Sequence, residues 1–217
     1  MALIDVRLPV DQPAVPGDVR AFLREAGRRM DRLQFDEHVP AFVASDFQSA
    51  YATLRALAEA NLAPGDLFCE WGSGLGVVAC LAAMLGFDAR GIEIEPSLVE
   101  AAVQLAADFD LPVEFIQGSF IPPGGGRSLG GSDPFAWLTT AEGRAHEELT
   151  IEPEEFAVVF VYPWPDEERA IADLFDHCAG TGALLVSYHG GEGLRVRRKV
   201  AGRTRRARPA TPDRRHG

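Results

Sequence analysis

Between residues 67 and 188 the hydrophobic period of the sequence changes again and again. Short continuous apolar runs alternate with stretches whose apolar residues recur every three or four positions. The first pattern suits strands buried on both faces, the second amphipathic helices. Residues 67–70 read as a buried strand, 75–85 as a small-residue helix closed by Gly86, and 89–94 as a second strand. Leu98, Ala102, Leu105 and Phe109 mark the stripe of another helix, opened by Pro96, before a third strand over 113–116. Two further buried strands follow over 156–162 and 182–188, with a helix over 167–177 between them. Residues 194–200 alternate apolar and basic side chains, the pattern of an edge strand. Such alternation predicts an α/β chain: a doubly wound, mostly parallel sheet with helices on both faces.

The flanks are less regular. Pro9, Pro13 and Pro16 predict an irregular lead-in over 1–16. Asp18 can then cap a helix whose apolar side is Val19, Phe22, Leu23, Ala26, Met30 and Leu33. Ser45 or Asp46 caps the next, with Phe47, Tyr51, Leu54 and Ala58 on one side. The expected organisation is an N-terminal irregular and helical segment (1–45), an α/β domain (46–200) and a basic tail (201–217). Residues 121–134 hold five glycines and three prolines and read as a long loop. The wider stretch 121–150, with Phe135, Trp137 and His146, is either the specificity element of a cleft or a flexible surface insertion.

Composition narrows the function classes. The chain has 217 residues, 47% of them hydrophobic, enough to bury a core without disulfides or a structural metal. Cys69, Cys80 and Cys178 form no C-x-x-C pair and read as buried thiols in a reducing compartment, not as a zinc site. No His, Asp or Glu cluster has ligand spacing, so no metal is expected. With no apolar stretch of about 18 residues and no signal-peptide pattern, the expected location is cytoplasmic, without membrane contact. The net charge of −11 divides unevenly: residues 195–217 carry nine Arg and one Lys against Asp213, a local +9, leaving −20 on residues 1–194. An acidic body excludes a broad nucleic-acid face. Only the basic tail could touch phosphates, and it reads first as a disordered solubilising end.

The chemistry concentrates in Glu70-Trp71-Gly72-Ser73-Gly74-Leu75-Gly76, directly after a strand and before a helix. Glycines there let the backbone approach a ligand, which the N–H groups of the helix face. A dinucleotide site of the G-x-G-x-x-G kind would need glycine where Val77 stands. Glu93 ends the second strand 21 residues beyond Gly72, the place from which a carboxylate accepts the hydroxyl hydrogens of a ribose. Alternatively it caps the helix that Pro96 and Ser97 open.

E-x-G-x-G-x-G, then Gly91-Ile92-Glu93, then an apolar strand ending at Gly118-Ser119-Phe120, resembles the class I S-adenosylmethionine (SAM)-dependent methyltransferases. The resemblance spans about residues 45–190. It implies SAM as cofactor, with Glu70, Gly72, Ser73, Gly74 and Gly76 against its methionine portion, Glu93 on the ribose, and Ser119 and Phe120 flanking adenine. Residues 42–47 resemble the entry segment of some members, including lysine-modifying ones. Two departures stand out. Gln117-Gly118-Ser119 replaces the family's acid after the third strand. Only 28 residues follow His189, so the C-terminal part of the sheet is expected to be shortened, to about six strands in all.

On the acceptor side the fourth strand ends at Tyr162-Pro163-Trp164-Pro165-Asp166 and the fifth at Tyr188-His189. Tyr162 and Trp164 would align the acceptor, exclude water and hold a cation, and His189 is the candidate base, oriented by Tyr188 or Tyr162. His38, His146 and His177 read as surface residues. The resulting expectation is an enzyme that transfers a methyl group to a small molecule or a protein side chain. The alternatives are a non-catalytic SAM-binding or nucleotide-binding module and a nicotinamide-dependent reductase. Val77 disfavours the latter, as does the lack of a Tyr-x-x-x-Lys pair, the sole lysine being placed in the basic tail.

Overall fold

The computed structural model describes residues 2–8, 14–36, 46–122, 125, 145–164 and 166–201. In chain order the elements are β1 (Ala2–Asp5), α1 (Gly17–Asp36), α2 (Phe47–Glu59), β2 (Leu67–Trp71), α3 (Val77–Met84), β3 (Asp88–Glu93) and α4 (Pro96–Asp108). There follow β4 (Glu114–Gln117), α5 (Ala145–Leu149), β5 (Val158–Val161), α6 (Glu168–Cys178), β6 (Leu184–Tyr188) and β7 (Leu194–Val200). The strands make one sheet in the order β1-β7-β6-β5-β2-β3-β4. Strands β6, β5, β2, β3 and β4 run parallel, while β7 is antiparallel to β6 and β1 to β7.

The continuous apolar runs are the central strands, and alternate residues serve opposite faces. Phe68, Val158, Phe160 and Leu184 pack toward α2 and α3. Behind them α1, α3 and α4 share a cluster around Phe22, Leu81 and Leu105. Cys69, Trp71, Val159 and Leu185 face the other way, onto α5 and α6 through Leu149, Ile171, Leu174 and Phe175. Local capping agrees with the sequence at two helices, where Asp46 accepts the Ser49 N–H at the start of α2 and Pro96 opens α4, whereas Asp18 lies in the first turn of α1 and not at its cap.

Three expectations change. The lead-in contains β1, which pairs Ala2 with Val200 and Asp5 with Arg197, and Arg195 bonds Asp5 at 2.8 Å. Its partner lies at the far end of the chain, and the prolines begin only beyond it. Among the described residues the sheet therefore has seven strands, not about six. The C-terminal part is nonetheless short, because a single 3-10 turn, Gly190–Glu192, joins β6 to β7, and the N-terminal strand completes the edge. Finally, Lys199 belongs to β7 and not to a tail. It is 2% exposed and its ammonium donates to the Ala179 carbonyl at the C-terminus of α6, where the helix dipole favours a cation. Residues 42–45, 123–124, 126–144 and 202–217, with His38 and Pro165, lie outside the described residues, and with them Phe135, Trp137, most of the entry segment and most of the basic tail.

Candidate functional site

Strands β2 and β5 are neighbours whose following helices leave on opposite faces, α3 on one and α6 on the other. Beyond their carboxyl ends the two connections diverge and leave a crevice, the usual ligand position in an open α/β sheet. The turn after β2 forms its floor. Gly72, Gly74 and Gly76 have φ of 69°, 53° and 69°, left-handed values that favour glycine. The N–H groups of Gly72 and Ser73 both donate to the Ile92 carbonyl, at 2.9 and 3.0 Å, which ties the turn to β3.

Phe115 of β4 holds this turn from below. A Cβ at Gly76 would overlap its ring, and one at Gly91 would lie 2.5 Å from that ring and 2.9 Å from Ser73 Oγ. The two glycines form the notch in which the phenyl sits. Gly72 is different: nothing approaches within 4 Å of its would-be Cβ, so the turn is open on that side.

Both acids of the motif are buried and bonded. Gly76, the N-cap of α3, has no side chain to satisfy the orphan N–H groups of the first turn. Glu70 does so from the strand, its Oε2 accepting the Ala79 N–H at 2.8 Å. Burial pushes the Glu70 carboxyl up to about 8, against the Ala79 hydrogen bond, which favours the charge, and with some repulsion from Glu93. Glu93 Oε2 accepts the Gly74 N–H at 2.8 Å, and Oε1 accepts from Ile94 and Glu95 at 2.7 and 2.9 Å. Glu93 thus bonds the backbone just before α4 and also reaches across to the glycine turn, a contact the sequence did not foresee. A carboxylate offers about four lone-pair sites, so Oε2 retains capacity for a further donor. Ser73 Oγ and Trp71 Nε1 are buried with no hydrogen-bond partner among the described residues.

Beyond β4, the side chains of Ser119 and Phe120 both make contacts within the protein. Ser119 is buried and its Oγ accepts the Ile121 N–H at 3.2 Å. Phe120 stacks flat on Trp71, ring centres 5.2 Å apart and planes 8° apart, and Trp71 meets Phe175 edge-on. His146 was expected at the surface. It is instead 7% exposed on α5, its Nε2 2.8 Å from the Phe120 carbonyl. A carbonyl only accepts, so Nε2 carries the hydrogen, and Nδ1 has no hydrogen-bond partner among the described residues. Burial lowers the His146 pKa and keeps the ring neutral. His177 is exposed, as expected. Ile94, directly after Glu93, is an apolar side chain 48% exposed. From the sequence it reads as the last residue of a buried strand over 89–94, whereas β3 ends at Glu93.

At the ends of β5 and β6, Tyr162 and Tyr188 meet edge-on, 4.7 Å between ring centres. Tyr188 packs with the α2 and α3 side of the sheet. His189 lies with Ser187 toward α6. Its Nε2 is 2.7 Å from Ser187 Oγ and its Nδ1 2.7 Å from Glu168 Oε1. The partners that orient His189 are therefore Ser187 and Glu168, in place of the tyrosines. Trp164 is half-exposed, and its carbonyl accepts the Glu167 N–H at the start of α6. No group of His, Cys, Asp and Glu suited to a metal ion occurs among the described residues, and none of their helices is long and apolar enough to cross a membrane.

No protein-family model matches the chain, and no curated protein matches it by sequence. Solved structures do. A methyltransferase from Geobacter sulfurreducens is similar over 87% of this chain and 92% of its own, with TM-score 0.50 and 15% identity. An O-methyltransferase from Bacillus cereus, in complex with S-adenosylhomocysteine (SAH), is similar over 80% of this chain and 66% of its own, with TM-score 0.51 and 16% identity. An SAH-bound methyltransferase from Podospora anserina is similar over 82% and 64%, with TM-score 0.52 and 12% identity. The chain thus spans just under two thirds of the length of the latter two. Its fold is that of the class I methyltransferases.

Proposed function

We propose that the protein is a SAM-dependent methyltransferase. The observation that carries this reading is the junction of the open glycine turn with Glu93, made by the Gly74 N–H to Glu93 Oε2 bond at the crevice. The unpartnered Ser73 hydroxyl and the free space above Gly72 fit a ligand that lies along the turn. In this reading the turn from Gly72 to Gly76 holds the methionine portion, with Glu70 beneath it. Glu93 holds the ribose, and Ile94 and Ser119 border the adenine. The three neighbours named above are methyltransferases, two of them with SAH bound, which supports the same cofactor here.

When bound, SAM supplies a methyl group already activated by its sulfonium. The chain's own residues then have to align the acceptor and exclude water. In this reading Tyr162 and Trp164, beyond the end of β5, take on that task beside His189 at the end of β6. The acceptor is a small molecule or a protein side chain. The −20 charge on residues 1–194 favours a neutral or basic one over a polyanion.

Isothermal titration calorimetry with SAM, SAH and NAD tests the reading. Micromolar binding of both adenosyl compounds, absent for NAD and lost in Gly74→Val, is expected. Failure of both adenosyl compounds to bind removes it.

A further inference from the structure

At the carboxyl ends of β3 and β4 a short series of contacts leads from Glu93 to a histidine. The Gly118 N–H donates to the Glu93 carbonyl at 2.8 Å, so the first residue after β4 abuts the last residue of β3. Ala145, the first residue of α5, lies against Gly118: a Cβ on the glycine would come within 3.0 Å of the Ala145 Cβ and 3.3 Å of its nitrogen. His146 follows, with its Nε2 2.8 Å from the Phe120 carbonyl, and the ring is thereby fixed beside residues 118–120. Nε2 carries the hydrogen, so Nδ1 holds the ring's available lone pair. That nitrogen is buried and accepts from no donor among the described residues. Burial lowers the His146 pKa, so the lone pair is not lost to a proton near neutral pH. A buried acceptor left unsatisfied costs the folded protein free energy. The neighbouring side chains are engaged elsewhere: Ser119 Oγ accepts the Ile121 N–H, and the Phe120 ring stacks on Trp71.

We propose that His146 Nδ1 accepts a hydrogen bond from the 6-amino group of the cofactor's adenine. This rests on the methyltransferase reading, in which the ribose lies on Glu93 and the base is bordered by Ile94 and Ser119. A base joined to that ribose lies over the junction of Glu93 with Gly118, next to the segment that His146 lines. Adenine presents an amine donor flanked by ring nitrogens that only accept, and of these groups the amine alone can satisfy a bare Nδ1. A site whose buried acceptor must be matched by a ligand N–H rejects the ligand that lacks it. His146 is therefore the residue that makes the site selective for a 6-amino purine.

The test is calorimetry of the full-length protein with SAH and with its analogue in which hydrogen replaces the 6-amino group. The unmodified protein should bind SAH about tenfold more tightly than the analogue, the effect of one hydrogen bond to a buried acceptor. His146→Gln, whose amide N–H can still donate to the Phe120 carbonyl, should bind the two ligands alike. The histidine side-chain 15N spectrum of the unmodified protein checks the same contact without a variant: the Nδ1 resonance of His146 should move more on saturation with SAH than with the analogue. Equal affinities in the unmodified protein overturn the proposal, as does a preference for SAH that survives in His146→Gln. So does an Nδ1 resonance that responds equally to the two ligands. Failure of SAH to bind at all would instead remove the underlying methyltransferase reading.

Discussion

Replacing Glu70 with glutamine will flatten the pH dependence of stability across the neutral range. The carboxyl is 5% exposed and has one hydrogen bond from the backbone, so burial raises it from 4.5 to about 8. In the unfolded chain it loses its proton near 4.5, and in the folded chain it keeps it until about 8. The folded state binds more protons in that interval. Stability from this group is therefore complete below pH 4.5, falls as pH rises, and is lost above about 8. The slope approaches 1.4 kcal/mol per pH unit, giving a loss of roughly 2–3 kcal/mol between about pH 6 and 8. The amide of glutamine can accept the same Ala79 N–H and carries no charge to bury. Of the other buried groups with shifted pKa values, His146 acts below its ordinary 6.5, at the lower edge of this range, and Cys69, Cys80 and Tyr51 act at or above 9. Urea unfolding of both proteins at three pH values in this range is the assay. The unmodified protein should lose stability with rising pH while Glu70→Gln stays nearly level. Equal slopes in the two would show that Glu70 is ionised inside the folded protein, and the argument from burial would be wrong.

Three further outcomes follow from named contacts. Gly91→Ala drives a methyl into the Phe115 ring and should cost about 1–3 kcal/mol in urea unfolding; Phe115→Ala in the same chain should show a favourable coupling in a double-mutant cycle. Glu93→Gln should weaken SAM about 10–100-fold by calorimetry, the equivalent of one charged hydrogen bond, and unchanged affinity would move the ribose elsewhere. Lys199→Ala leaves the Ala179 carbonyl without its partner above a new cavity, and thermal or urea unfolding should show a loss of about 2–4 kcal/mol.

What the sequence could reveal depended on how local the cause was. Strands β2, β5 and β6 were visible because full burial on both faces leaves continuous apolar runs such as Val158-Val159-Phe160-Val161. The start of α3 was placed too early, at residue 75, because nothing in the letters shows that Gly76 is left-handed, which delays the helix to Val77. Strand β1 has four mostly exposed residues and no alternation. Its pairing with residues 197–200 is a purely tertiary fact. The glycine turn and Glu93 could be found by their spacing, since both belong to one strand–helix–strand unit. The partners of His189 could not: Glu168 is 21 positions away on another element. Burial of His146 was hidden for the same reason, because its bond to the Phe120 carbonyl crosses 26 positions that include a glycine- and proline-rich stretch.

The central claim is that the crevice above the glycine turn holds the adenosyl cofactor. A crystal structure of the protein with SAH tests it most directly. The amino-acid portion is expected along Gly72 to Gly76, the ribose on Glu93 and the adenine between Ile94 and Ser119. SAH bound elsewhere, or that crevice unchanged at saturating SAH, would contradict it.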